Sequence, residues 1–240
     1  MNLKSQKKTG SDLDTIIRTA RRSDIDFIIK GIIEAERGGR QIIPTQAIFD
    51  ISLEELKSNL KRFLEDEELL DCEYALNSYL IAEIDGVAAA LQSHWIEGSH
   101  GIESNLIKIN CWLSVLDTEK IQNIKPILTI ANKYSLTRLN NYLQLENVYV
   151  SPDYRNRGLA IKLMKTSFIN AFKQNSNCPG CQIALFKENI KSYNHLKERG
   201  FKINQSIKIQ NDALNIIFDH NTRISMTLET QKMQSVIKRY

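Results

Sequence analysis

The chain has 240 residues, a net charge of +4 and 42% apolar residues. This length suits one large domain or one domain with an insertion, and no apolar run reaches the ~20 residues of a membrane helix. The polar start, MNLKSQKKTGSDLD, lacks the apolar centre of a signal peptide. We therefore expect a cytoplasmic protein without a membrane partner, and a disordered tail over residues 1–14.

The first predicted elements are a short strand over residues 15–18 and two helices. The first helix spans about residues 24–37, with Ser23 as its N-cap and Gly38 at its end. Residues 52–63 form the second helix, again with a serine cap. Both helices carry one apolar side, which indicates that they pack on a core.

A hairpin follows, because residues 79–84 and 87–95 read as strands on either side of Asp85-Gly86. The next segment, residues 97–141, is long and contains a helix-like run over 118–138, which we expect to break near Pro126. The apolar side of this run has three interpretations: it covers a cleft, it packs on a partner subunit, or it extends the core.

The central motif is a strand over residues 142–150, a turn, and a helix whose apolar residues recur every fourth position. These residues are Ala160, Met164, Phe168 and Phe172. Between strand and helix lie Arg155, Arg157 and Gly158. Glycine lets an anion approach the backbone, and the first amides of a helix lack partners inside it. The junction is therefore chemically suited to a pyrophosphate.

The remaining pattern predicts a strand over residues 182–186, a helix ending at Gly200, and strands over 203–209 and 223–228. The segment from Glu229 is polar and has little pattern. The four cysteines include Cys178 and Cys181, separated by two residues. A metal or redox role is open for this pair, but neither a second such pair nor paired histidines accompany it, so we favour loop cysteines and no metal.

The pattern Arg155-x-x-Gly158-x-Ala160, after a strand ending in Val-Tyr-Val-Ser-Pro, resembles the acetyl-CoA loop of the GNAT N-acetyltransferase superfamily. Asn189, followed eleven residues later by Gly200 and then Phe201, resembles a second motif of this family. The resemblance implies an α/β (α+β) GNAT fold. Its central sheet is mixed, mostly antiparallel, of about six to seven strands, flanked by helices and splayed at the central strand. It further implies one domain over residues 15–230, an inserted segment at about 97–141, and a tail over 231–240.

The same resemblance implies acetyl transfer from acetyl-CoA, as co-substrate, to a primary amine by direct attack. The residues that it places against acetyl-CoA are Val148, Tyr149, Val150, Arg155, Asn156, Arg157, Gly158, Leu159, Ala160 and Asn189.

The candidate base is Glu146, in the central strand. A free alkyl amine has a pKa near ~10 and is protonated at neutral pH, so a base must remove its proton. The resemblance supports this position, and a structural glutamate at the sheet surface is the alternative. The backbone N–H of Val148 is the candidate donor to the oxyanion. Leu196 stands where most family members have a tyrosine acid; Tyr193 either replaces that tyrosine or only packs.

Two other classes of function compete with an acetyltransferase that uses a small-molecule or peptide amine. One is a CoA-binding sensor or partner-binding module without turnover. The other is nucleic-acid binding through Arg155 and Arg157, which is weak because no wider basic face accompanies them. We expect no nucleic-acid partner, and the sequence leaves a homodimer open.

Overall fold

The structure is a computed structural model that describes residues 15–239, so the predicted tail over residues 1–14 lies outside the described residues. Its strands are β1 (Thr15–Thr19), β2 (Tyr79–Ile84), β3 (Val87–Ile96), β4 (Leu143–Val150), β5 (Gly180–Phe186), β6 (Lys202–Lys208) and β7 (Thr222–Glu229). Its helices are α1 (Ile25–Arg37), α2 (Pro44–Phe49), α3 (Leu53–Glu65), α4 (Ser104–Val115), α5 (Thr118–Lys133), α6 (Leu159–Gln174), α7 (Ile190–Glu198), α8 (Asp212–Phe218) and α9 (Thr230–Arg239).

The strands form one sheet in the order β1-β2-β3-β4-β5-β7-β6. Only β4 and β5 pair in parallel; the other neighbours are antiparallel. The predicted hairpin is confirmed, with Asp85 and Gly86 both at positive φ between β2 and β3. A mixed, mostly antiparallel sheet flanked by helices confirms the predicted fold class.

The two faces of the sheet are covered by different layers, because successive side chains of a strand point to opposite faces. Leu91 and Tyr149 face the layer that contains α1, α3 and α4. Leu143 and Leu145 face α6 and α9. No helix within residues 15–239 is long and apolar enough to cross a membrane.

The caps of the first helices differ from prediction at one point. Ser23 does not cap α1; instead the Asp24 carboxylate accepts from the Arg21 N–H at 2.7 Å and from the Arg18 guanidinium at 2.7 Å. A carboxylate binds these donors better than a hydroxyl, because one of them is charged. The predicted Ser52 cap of α3 is confirmed by its bond from the Glu55 N–H at 3.1 Å.

The inserted segment contains two helices rather than one broken helix. Helix α5 continues through Pro126 and ends at Lys133, so the predicted break is wrong. Proline removes one intrahelical bond, but Ile124 is 3% exposed in the core and the Asp117 cap holds the first turn. Helix α4 was not predicted, although its fully buried Trp112 makes the segment part of the core.

The C-terminal segment also departs from prediction. Residues from Glu229, expected to have little pattern, form α9, and Met233 and Val236 are buried against α6. Two apolar residues three positions apart are enough to seat a short helix, but they are too few to stand out in a polar stretch.

Candidate active site

The sheet opens between β4 and β5. The two strands pair only over Leu143–Leu145 and Cys181–Ile183, and they separate beyond these residues. The next residue of β5, Ala184, is exposed although the four before it are buried. Across the opening, the Val148 side chain is 41% exposed. The separation therefore creates a cleft in the middle of the sheet, between residues 146–150 and 184–186.

A β-bulge in β4 shapes one wall of this cleft. Asn147 has a φ of +50°, and Asn147 and Val148 together lie opposite Gln92 of β3. The Asn147 side-chain amide donates to the Tyr79 hydroxyl at 3.0 Å, which holds the bulge in place.

Strand alternation decides where the backbone amides of this wall point. The Ser151 N–H donates to the Ala89 carbonyl of β3 at 2.9 Å. The amides of Val150 and, two residues earlier, Val148 then point away from β3 and into the cleft. Tyr149 has a buried side chain that meets Phe27 edge-on, so only its backbone is available there.

The loop after β4 ends the cleft at the start of α6. Asn156 and Gly158 have φ values of +63° and +72°, and Gly158 is the N-cap. Lys162 makes the first helical bond, to the Gly158 carbonyl. Within residues 15–239, the amides of Leu159, Ala160 and Ile161 have no hydrogen-bond acceptor.

The two arginines of this loop bind its backbone. Arg155 donates from Nε to the Val150 carbonyl at 3.3 Å, and Arg157 donates to the Asp153 carbonyl at 3.2 Å while lying over the Tyr154 ring. Both side chains are exposed and place two positive charges beside the free amides. This combination of donors and charge is suited to an anion.

Glu146 lies on the same wall, with its side chain 22% exposed. Its Oε1 accepts from the Arg138 Nη2 at 2.6 Å. Its other oxygen has no hydrogen-bond partner in the described part of the chain. That free oxygen is the one able to accept from a bound molecule.

Arg138 links Glu146 to a buried charge cluster, defined here as Arg138, Glu73, Lys108 and Glu146. Glu73 is 2% exposed; its Oε1 lies 2.6 Å from Lys108 Nζ and its Oε2 lies 3.6 Å from Arg138 Nη1. Arg138 also binds the Ser104 hydroxyl and lies over the Trp95 ring. The inserted segment thus supplies both cations of the charge cluster that contains Glu146.

The ionisation of the charge cluster follows from burial and charge together. Burial raises the pKa of Glu73, but Lys108 and Arg138 outweigh it and hold that pKa at about 2. Burial lowers the pKa of Lys108 and of Arg138, yet their carboxylate neighbours raise both above the usual range. All three groups are therefore charged at neutral pH.

Sequence reasoning missed three members of the charge cluster. A signal was present, because Glu73 lies in the run Cys-Glu-Tyr-Ala-Leu and Lys108 lies between Ile107 and Ile109. A single charged residue in an apolar run is buried only when it is paired. The sequence does not show which oppositely charged residue pairs with Glu73 or with Lys108.

A comparison with known families covers both walls of the cleft. The model of the acetyltransferase (GNAT) family matches residues 127–201, which include β4, the loop, α6 and α7. These residues are similar to the GNAT acetyltransferases. No curated protein sequence matches the chain.

Solved acetyltransferase structures resemble the fold at low sequence identity. An N-acetyltransferase from Staphylococcus aureus Mu50 is 14% identical, with a TM-score of 0.60 over 89% of this chain and 100% of that chain. The protein yncA from Salmonella typhimurium, solved with its cofactor acetyl-CoA, is 16% identical, with a TM-score of 0.53 over 90% and 94%. Mutant forms of the spermidine/spermine N-acetyltransferase SpeG from Vibrio cholerae are 13% identical, with a TM-score of 0.50 over 92% and 98%. At these identities the likeness shows the fold.

Helix α7 and its N-cap, within the matched residues, hold the two remaining site candidates. Asn189 caps the helix through Oδ1, which accepts from the Ser192 N–H at 3.3 Å. Leu196 is buried, and Tyr193 is partly buried against the same apolar cluster. Among the described residues, the Tyr193 hydroxyl has no hydrogen-bond partner, whereas its ring packs on the apolar cluster.

The two cysteines that are separated by two residues occupy buried positions. Cys178 and Cys181 are both free and buried, and Cys178 donates from Sγ to the Gly180 carbonyl at 3.3 Å. Burial raises the pKa of Cys181 well above its usual value, which disfavours the reactive thiolate. In the part of the chain that the structure describes, no group of three or more His, Cys, Asp or Glu is arranged to hold a metal.

The depressed pKa of Glu73 predicts a loss of stability in acid. A carboxylate with a folded pKa of about 2, below its ordinary value of 4.5, stabilises the fold above pH 4.5 and loses that contribution as the pH falls toward 2. Urea unfolding of the wild type between pH 6 and pH 2.5 is expected to show this loss. Glu73→Gln should flatten the slope, whereas the exposed Glu67→Gln should keep it; equal slopes for all three proteins would contradict the assignment.

Proposed function

We propose that the chain is an N-acetyltransferase that moves the acetyl group of acetyl-CoA directly to a primary amine, with both substrates bound together. One observation carries the proposal: the cleft between β4 and β5 joins free backbone amides, the open start of α6 and Glu146 in a single space. We further propose that residues 15–230 form one acetyltransferase domain with an insertion at 97–141.

The donors of the cleft fit the two parts of acetyl-CoA. The amides of Val148 and Val150 suit the amide groups of the extended arm, as an added strand would. The free amides at the start of α6, the turn at Asn156, and the side chains of Arg155 and Arg157 suit the diphosphate. Asn189, which is exposed, keeps its side-chain NH₂ free for the same ligand.

Acetyl-CoA supplies a thioester whose sulfur leaves as thiolate, with the bonding electrons, when the amine nitrogen bonds to the acetyl carbon. Glu146 takes the first ammonium proton on its free oxygen, since the other oxygen is bound to Arg138. The second proton, which the nitrogen loses when it becomes an amide, goes to the released thiolate. The Val148 N–H is placed to donate to the acetyl oxygen. Because a thiol has a pKa near ~8.5, the thiolate leaves without an obligatory acid, so Tyr193 is not required for the reaction.

The test of this proposal is charge reversal in the loop. Arg155→Glu together with Arg157→Glu is expected to weaken acetyl-CoA binding at least about ten-fold, because charge-assisted bonds to phosphate are replaced by repulsion. Calorimetry measures the binding, and release of free CoA with a panel of polyamines, amino acids and peptide N-termini measures turnover.

The matched control carries the same change of charge elsewhere. Lys57→Glu with Lys61→Glu lies on the exposed side of α3 and should bind acetyl-CoA normally. Wild-type binding by the loop variant would contradict the site, whereas binding without CoA release from any acceptor would indicate a module without turnover.

A further inference from the structure

Two arginines outside the charge cluster lie against one pair of aromatic rings beside the cleft. Phe186, at the end of β5, and Phe218, at the end of α8, have ring centroids 5.3 Å apart. The Arg40 guanidinium carbon lies 5.5 Å from the Phe186 centroid, and that of Arg223 lies 5.9 Å from the Phe218 centroid. Phe186 and Arg223 are also directly opposite each other in the sheet.

Neither arginine forms an ion pair with a carboxylate in residues 15–239. Arg223 donates from Nη1 to the Tyr134 carbonyl at 3.1 Å. Arg40 donates to the carbonyls of Arg37 and Glu36, both at 2.7 Å, and its buried Nη1 has no partner. Burial lowers the pKa of both side chains. Capping of helix ends explains the bonds that exist. The charges of Asp219 and Glu36 act on Arg40, and that of Glu146 acts on Arg223, but none of these carboxylates bonds to either guanidinium.

The position of Arg223 connects this pair to the catalytic cleft. Phe186 lies two residues beyond the exposed Ala184, on the same face of β5. By strand alternation Arg223 and Phe186 lie on the same face of the sheet as Glu146. The charge of Glu146 accordingly opposes the lowering of the Arg223 pKa by burial. Arg223 and Arg40, which contact the rings at the end of β5, therefore lie beside the cleft that contains Glu146.

The carboxylates around this space bond to groups other than Arg40 and Arg223. Glu146 and Glu73 share Arg138 and Lys108. Glu36 accepts from the Thr45 hydroxyl at 2.7 Å and from the Thr45 N–H at 3.2 Å. The guanidinium groups of Arg40 and Arg223 therefore keep donors open to a ligand, and a charged donor binds an anionic acceptor most strongly, so the complementary ligand group is an anion.

We propose that the acceptor is an amine that also carries a carboxylate, as an amino acid or a short peptide does. Arg223 and Arg40 bind the carboxylate, and the amine meets Glu146. This inference rests on the proposed acetyl transfer for its amine, but not for its anion site. A planar guanidinium held on an aromatic ring is well suited to a carboxylate, because it presents parallel donors in a fixed plane.

Matched pairs of ligands test the proposal. L-Lysine with cadaverine, and L-phenylalanine with phenethylamine, differ only in the carboxylate. In calorimetry on the full chain, with and without coenzyme A, the carboxylated member is expected to bind at least about ten-fold more tightly. Arg223→Gln should remove that preference, and the exposed Arg22→Gln should keep it. Arg40→Gln is a second variant with the same expected loss, and circular dichroism verifies that each variant is folded.

The outcomes separate this inference from the proposed function. Equal binding of both members, no binding of either, or an unchanged preference in both Arg223→Gln and Arg40→Gln overturns the anion site. Failure of the proposed function is seen elsewhere, as a lack of acetyl-CoA binding or of CoA release. The preference for the carboxylated ligand is measured by calorimetry and needs no turnover. It therefore tests the anion site independently of acetyl-CoA binding and of CoA release.

Discussion

Replacing Glu146 with glutamine is expected to lower kcat for acetyl transfer by about 10²–10⁴-fold, the usual contribution of a general base. An amide keeps the size of the side chain and a contact to Arg138, but it cannot accept the ammonium proton. The deficit should shrink as the pH rises toward ~10, where the amine loses its proton without help. Both the loss of kcat and its pH dependence are measured by the release of free CoA from pH 6 to pH 10 at saturating substrates.

Two controls separate the chemistry of Glu146 from its place in the fold. Calorimetry should show unchanged acetyl-CoA binding by Glu146→Gln, because the proposed cofactor contacts lie elsewhere. Glu67→Gln, which removes the charge of an exposed glutamate, should keep the full rate. If Glu146→Gln runs at the wild-type rate across the whole pH range, another group takes the proton, while the acetyl-CoA site is untouched.

The elements that the sequence predicted are those whose signals are local. The Asp85-Gly86 turn dictates the hairpin, and the junction at Gly158 dictates where β4 gives way to α6. Ser52 and its capping partner lie three residues apart. In each case the residues that fix the structure are close neighbours in the chain, so one stretch contains the whole signal.

The helices that were missed, α2, α4, α8 and α9, obtain their stability from distant partners. Trp112 of α4 is buried among Phe49, Phe63 and Tyr74, which come from three other segments. Apart from α4, these helices have ten residues or fewer. Short helices form mainly through tertiary packing, which periodicity alone does not reveal.

The candidate site divides in the same way. Its backbone donors and Glu146 lie in one continuous stretch, and the family resemblance located that stretch. Glu73 and Lys108 come from outside it and meet Arg138 only in the folded chain. Arg40 and Arg223 are likewise far apart in the sequence. In the folded chain they contact the adjacent rings of Phe186 and Phe218, which no sequence pattern indicates. Pairing of buried charges is therefore the part of the site that needed the three-dimensional structure.

Replacing Arg138 with methionine is expected to lower the free energy of unfolding by about 3–5 kcal/mol, the usual cost of removing one partner from a buried ion pair. Glu73 would keep only Lys108, and Glu146 would lose Arg138, the cation that binds it. Methionine fills much of the volume and keeps contact with Trp95, so the lost charge dominates the effect. Urea unfolding at pH 7 measures the change.

The size of this effect depends on burial, and two comparisons isolate that dependence. Arg22→Met breaks an ion pair with side chains 66% and 79% exposed, and should change stability by only about 0–1 kcal/mol. Adding Glu73→Gln to Arg138→Met should recover part of the loss, because the stranded charge is then gone. A loss within 1 kcal/mol of that for Arg22→Met would mean that Glu73 remains hydrated. A large loss recovered by Glu73→Gln would mean that the inserted segment holds Glu146 in place through one buried guanidinium, and thus couples the stability of the insertion to the geometry of the base.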